Sequence, residues 1–169
     1  MNETNKESVT VQPTRDWNLV MQLIERFHER VLDDATESLP HPMLNELVRQ
    51  LVTDPANAVL KVSVDSQPAG CFVFKRDKPD TYEIHTLLLP NCRGRLALAA
   101  GKKALQAVFG RPEIKWIVGF CPPTLPEVFW FGKRLGFRVA GMFAKPWVRD
   151  GQSHQMKLMQ LNVKDFLCQ

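Results

Sequence analysis

The sequence predicts one mixed α/β domain, with a mostly antiparallel sheet of about six to seven strands flanked by about four helices. Three observations carry that prediction. Two early segments place large apolar residues at helical spacing: Trp17, Val20, Met21, Ile24, Phe27 and Val31, then Met43, Leu44, Leu47, Leu51 and Val52. Residues 58–89 instead show alternating blocks separated by short polar turns, the pattern of antiparallel hairpins. Finally, an apolar strand enters an Ala-rich helix at 95–109, which leads to a second apolar strand at 114–120. Such a strand–helix–strand unit requires a parallel crossover.

Each element follows from its own residues. Residues 9–12 alternate as a short strand ended by Pro13, after which Thr14 is a candidate cap for a helix over 17–31. Residues 33–42 are polar and close on Pro40-His41-Pro42, which predicts a loop, and the second helix follows and stops before Pro55. Residues 58–64 read as a strand, 65–70 as its turn, 71–74 as the hairpin partner, 75–80 as a second turn and 82–89 as the next strand. Residues 127–135 read as a helix with Gly136 at its C-terminal cap. Two last strands, 137–143 and 154–161, are joined across Arg149-Asp150-Gly151. Residues 1–7 are expected to be a flexible tail, and 8–169 a single domain.

Composition narrows the functions open to this chain. With 169 residues, 44% of them hydrophobic, it can bury one core. A net charge of +4 comes from 22 basic and 18 acidic residues without a basic run, which suits an anionic cofactor and argues against nucleic acid as the main ligand. Cys71, Cys92, Cys121 and Cys168 lack CxxC spacing, and His28, His41, His85 and His154 are equally scattered, so no metal site is expected. The polar start MNETNKES lacks signal-peptide character and no apolar run reaches membrane-spanning length. A cytoplasmic protein with reduced thiols is expected.

The segment YEIHTLLLPNCRGRLALAAGKKAL, residues 82–105, is where chemistry is first indicated. A strand ends at Pro90, turns through Asn91-Cys92-Arg93-Gly94, and opens into a helix. Unpaired N–H groups at that helix N-terminus, with Arg93 and Arg95 beside them, make a site for a phosphate or pyrophosphate.

The element order, with LLLPNCRG entering a helix and FGKRLGFRVAG following, resembles the GNAT superfamily of acetyl-CoA-dependent N-acyltransferases. That resemblance implies a GNAT-like sheet, an acyl-CoA-dependent transfer of an acetyl group to an amine, and acetyl-CoA as donor. The family's loop pattern is Gln/Arg-x-x-Gly-x-Gly/Ala; here Arg93 matches, while Leu96 and Leu98 stand at the two small positions. The resemblance implies cofactor contact from Arg93, Gly94, Arg95, Leu96 and Ala97, and from the backbone of Leu87 and Leu88, where the pantetheine arm pairs in the family. Leucine keeps the backbone N–H groups such a loop uses. Whether Leu96 and Leu98 turn into the core or obstruct the phosphates decides whether the cradle is open.

Transfer to an amine requires the amine in its neutral form and a donor for the developing oxyanion. Alternation places Glu83 and His85 on one strand face, and either is a candidate base. The tyrosine that often serves the family as acid has no counterpart: the helix reads EVFWFGKRLGF, and the chain's one tyrosine, Tyr82, falls on the opposite strand face. Of Phe129, Trp130 and Phe131, one must face outward, where it would suit a protein partner. These departures support an alternative function. The chain would then be a catalytically degenerate protein of this fold with a structural or assembly role, as some bacteriophage virion and assembly proteins resemble, residing in host cytoplasm or virion.

Overall fold

A computed structural model describes residues 8–168; the expected tail, residues 1–7, lies outside the described residues. The chain runs β1 (Val9–Pro13), α1 (Trp17–Val31), α2 (Asp34–Glu37), α3 (His41–Thr53), β2 (Ala58–Val64), β3 (Gln67–Lys78), β4 (Thr81–Leu88) and α4 (Arg95–Phe109). It continues through β5 (Trp116–Cys121), α5 (Pro126–Arg134), β6 (Arg138–Met142), β7 (Trp147–Arg149), β8 (Gln152–His154), β9 (Lys157–Asn162) and α6 (Val163–Leu167). A seven-stranded sheet is ordered β1-β2-β3-β4-β5-β9-β6, and β7 and β8 form a separate ribbon. Only the β4–β5 pair in this sheet is parallel, as the crossover through α4 demands.

The sheet divides two apolar clusters. On one face Phe72, Phe74, Tyr82 and Leu88 pack with Ala97, Ala100, Ala104, Leu105 and Val108 of α4. On the other, Val59, Cys71, Val73 and Leu87 pack with Val20, Met21 and Leu23 of α1 and Val48 and Val52 of α3. Small residues on α4 let the helix approach closely: a Cβ on Gly101 would lie 2.8 Å from a Leu135 methyl. Each fully buried phenylalanine or leucine here contributes roughly 1.5–3 kcal/mol.

Several elements differ from expectation, each for a local reason. Asp16, and not Thr14, caps α1: its carboxylate accepts the Leu19 N–H at 3.1 Å, while the Thr14 hydroxyl accepts from Asp16 N–H. The predicted loop at 33–42 contains α2, capped by Asp33, and α3 begins already at His41. Asp65 and Ser66 both take positive φ, 47° and 66°, in a two-residue hairpin turn, so β3 begins at Gln67 and extends through Lys78. The expected turns at 65–70 and 75–80 are therefore mostly strand. Between β6 and β9 the chain inserts the β7–β8 hairpin, turned at Asp150 (φ 52°) and Gly151 (φ 71°). Trp147 consequently belongs to a strand.

Gly136 behaves as expected, with φ 93° just after α5. Its N–H donates to Lys133 and that of Phe137 to Gly132, the paired bonds of a Schellman ending.

Candidate active site

The site begins where pairing stops. β4 and β5 are matched only at Thr81↔Trp116, Tyr82↔Ile117 and Glu83↔Val118. Beyond Glu83, β4 continues to Leu88 against β3 alone, while β5 continues to Cys121 against β9 alone. The two strands splay, and a wedge opens in the middle of the sheet along 84–88. One edge of that β4 segment lacks a neighbouring strand, which leaves backbone groups for an extended ligand to pair with.

Close packing fixes the wall of the wedge. Gly70 of β3 has φ 126°, and a Cβ there would lie 2.1 Å from the Leu87 carbonyl oxygen. Only glycine lets β3 approach Leu87 and Leu88 this closely. Both leucines are buried, on opposite sheet faces, so their side chains serve the core and only their backbone is left for a ligand.

The α4 N-terminus stands after the end of β4. Cys92 N–H donates back to the Leu89 carbonyl, and the Asn91 side chain donates to Pro68 at 3.1 Å, which fixes the loop on β3. Gly94 takes φ 56° and ψ −123°, a conformation L-residues avoid, and no side chain caps the helix. A Cβ on Gly94 would meet nothing within 4 Å, so space is open in front of the loop. Arg93 and Arg95 are exposed there. Leu96 and Leu98 are partly buried against the core and Ala97 is buried in it. The leucines thus pack on the core and leave the space in front of Gly94 clear.

Glu83 and His85 lie together on the face covered by α1 and α3. His85 Nε2 is 3.4 Å from Glu83 Oε1, with the imidazole 45% exposed and the carboxylate 22% exposed. Protein crowding around the ring holds the His85 pKa below its usual value; the Glu83 carboxylate opposes this and the Lys75 ammonium adds to it. Lys75 is the cross-strand neighbour of Glu83. A lowered pKa favours the neutral imidazole, the form that accepts a proton. Val118 pairs with Glu83, and two residues further Phe120 stacks on Phe143 with ring centroids 4.2 Å apart. Alternation puts Phe120 on the same side as Val118.

Tyr82, on the α4 face, is 1% exposed under Arg111, 5.6 Å from its ring centroid. It is a core residue. Cys121 is buried against Met159, sulfur to sulfur 3.4 Å, and burial pushes its thiol up to about 11. Among the described residues no cluster of three metal-binding side chains occurs, and no helix is long and apolar enough to cross a membrane. Lys103 donates to the Val9 carbonyl at 2.6 Å and pins α4 to β1. Of the three aromatics on α5, Trp130 is the outward one, 62% exposed, while Phe129 and Phe131 pack on the core.

Sequence reasoning placed Glu83 with His85 and the loop at the α4 N-terminus. It missed the wedge, and with it Val118, Phe120 and Phe143. No residue in the sequence signals it: Pro122-Pro123 lies after the end of β5 and past the last β4–β5 pair at Val118, so it does not mark the splay.

No family model matches the sequence, and no curated protein matches it. Solved structures do resemble the fold. A spermidine N-acetyltransferase chimera of SpeG from Vibrio cholerae and hSSAT superposes with a TM-score of 0.77 at 16% identity, covering 95% of this chain and 99% of that one. The V. cholerae spermidine N-acetyltransferase in complex with CoA and spermine gives 0.76 at 16% identity, over 94% and 98%. A dodecameric structure of the V. cholerae enzyme gives 0.74 at 17%, over 94% and 96%. The architecture of this chain is the GNAT fold: a mixed, mostly antiparallel sheet with the helices expected of it.

Proposed function

We propose that this protein is an acyl-CoA-dependent N-acyltransferase that moves an acetyl group to an amine of a small molecule or protein. The observation that carries the reading is the β4–β5 splay after Glu83↔Val118. It links an uncapped, arginine-flanked helix N-terminus on one sheet face to a Glu83–His85 pair on the other. A solved neighbour bound to CoA and spermine supports a CoA-linked donor and an amine acceptor.

In this reading Arg93, Arg95 and the backbone of Gly94 and Ala97 hold the pyrophosphate, while the expected Leu96 N–H is already taken by the Arg93 carbonyl at 3.2 Å; the backbone of β4 at Leu87 and Leu88 holds the pantetheine arm. Acetyl-CoA, when bound, supplies an activated acetyl thioester. Arg93 and Arg95 neutralise phosphate charge, and Gly94 keeps the loop backbone within reach of it. His85 Nε2 takes a proton from the incoming ammonium, directly or through water, and Glu83 stabilises the imidazolium that results. Glu83 can itself take the proton, and the pH profiles described below separate the two. Neither Tyr82 nor a side chain on α5 stands ready as an acid, so a thiolate leaves either unprotonated or by way of solvent.

The test is release of free thiol from acetyl-CoA in the presence of spermidine, spermine or a peptide with free amines. Protein-dependent release with at least one amine is expected. Release no faster than in buffer would count against an enzyme. A second reading, a catalytically degenerate protein with a structural role such as a bacteriophage assembly protein, draws on exposed Trp130 and on Phe131, which stands where the family often has a tyrosine. Stable complex formation with another protein, without acetyl-CoA binding, would favour it.

A further inference from the structure

Two segments far apart in sequence meet at the end of the sheet where the wedge opens, and their joints are polar. The first is the α1–α2 corner, residues 30–37. The second comprises the start of α5 and the β7–β8 hairpin, both of which lie beyond the C-terminal end of β5 in the fold. Arg30 pairs with Glu127 in the first turn of α5. Glu37 pairs with Arg149 of β7, whose side chain is only 13% exposed and whose guanidinium also reaches the Leu32 carbonyl at 3.5 Å. The two carboxylate oxygens of Asp34 accept the consecutive N–H groups of Asp150 and Gly151 at 2.9 and 2.8 Å. Those N–H groups belong to the hairpin's positive-φ turn, so both point outward at one acceptor.

The corner also follows a kink. α1 departs from helical geometry at Phe27 (φ −113°, ψ 15°), where a His28 ring nitrogen lies 2.9 Å from the Glu25 carbonyl and competes with the helix ladder. On the hairpin side, Phe143 stacks on Phe120 at the wedge. That stack connects the segment leading into β7 with the face that carries Glu83 and His85.

We infer that the α1–α2 corner is a strap fastened to the β7–β8 hairpin across the open end of the wedge, and that Asp34 and Arg149 are positioning residues for the amine acceptor. They act through the strap and touch no reacting atom. This rests on the acyltransferase reading above. Fastened, the strap holds Phe143 against Phe120 and shapes the acceptor's path. Released, it leaves the cofactor loop at α4 in place, because its joints run from the α1–α2 corner to α5 and the β7–β8 hairpin and not to α4. Its effect therefore falls on the acceptor and not on the donor.

Asp34→Asn and Glu37→Gln test this, since both keep side-chain size and loosen different joints. Steady-state kinetics would be run with whichever of spermidine, spermine or an amine-bearing peptide turns over fastest. Amide hydrogen exchange at Asp150 and Gly151 would be followed in the same proteins. The strap predicts protected amides in the wild type, faster exchange in Asp34→Asn, and an acceptor KM raised about tenfold, in keeping with loss of charge-assisted hydrogen bonds. Acetyl-CoA affinity stays within about twofold. Unprotected amides in the wild type, or unchanged acceptor KM in both variants that still bind acetyl-CoA, overturn the strap alone. If the wild type binds no acetyl-CoA, the acyltransferase reading fails and the acceptor role fails with it.

Discussion

His85 Nε2 lies 3.4 Å from Glu83 Oε1, two residues apart on one face of β4 and directly above the point where β4 and β5 part. A proton taken up by His85 is thus shared with a carboxylate whose own cross-strand neighbour is Lys75. The lowered His85 pKa follows from crowding of the ring, opposed by the Glu83 carboxylate and aided by the Lys75 ammonium.

If His85 is the base, kcat/KM should fall on the acid side with a midpoint below about 6.5, the ordinary histidine value. Glu83→Gln removes the charge that holds the pKa up, so the limb should move to still lower pH; Lys75→Met should move it upward. His85→Gln should lower kcat/KM by about 10²- to 10⁴-fold and abolish the limb. A limb that survives His85→Gln and vanishes in Glu83→Gln would transfer the role to Glu83.

The same depressed pKa has a consequence for stability. Below about pH 6.5 the unfolded chain protonates this histidine while the folded one resists. The contribution is therefore present above the unfolded value and is lost as pH falls toward the folded one. Thermal melts of wild type and His85→Gln between pH 5 and 8 should converge in slope only if His85 carries no such linkage; the expected result is a shallower acid decline in the variant.

Gly70→Ala forces a Cβ against the Leu87 carbonyl, at a distance of 2.1 Å with φ at 126°. A loss of about 3 kcal/mol is expected from strain and displacement, read as a melting temperature lower by roughly 6–12 °C. Acetyl-CoA affinity should fall with it, because β4 moves.

Leu96→Gly separates two accounts of the cofactor loop. Leu96 packs on the core, so trimming it should lower stability by about 2–3 kcal/mol and leave acetyl-CoA affinity no better. Improved affinity would mean that the leucine obstructs the phosphates. Arg93→Ala should weaken acetyl-CoA binding about tenfold and flatten its salt dependence.

Much of this was legible in the chain because it rests on local pattern. Alternation through Tyr82–Leu88 assigned Glu83 and His85 to one face, and the two helix faces and the β4–α4–β5 crossover followed from spacing. The four residues of α2 are too few to show a period, so only their capping Asp33 hinted at them. Trp147–His154 carried an Asp-Gly turn, yet its strands are three residues each and blended into the longer ones beside them. The wedge was out of reach for a different reason. It depends on where pairing between two strands distant in sequence ends, which no local pattern of residues records. The inward turn of Leu96 and Leu98 likewise depends on how α4 packs on the sheet.

The central claim is that the open wedge and the α4 loop bind an acyl-CoA, and acetyl-CoA binding tests it most directly. At about 100 times its Kd the ligand adds about 2.7 kcal/mol, so the melting temperature should rise by roughly 5–10 °C. The rise should be much smaller in Arg93→Ala. An unchanged melting temperature at millimolar acetyl-CoA, with calorimetry showing no heat of binding, would contradict it.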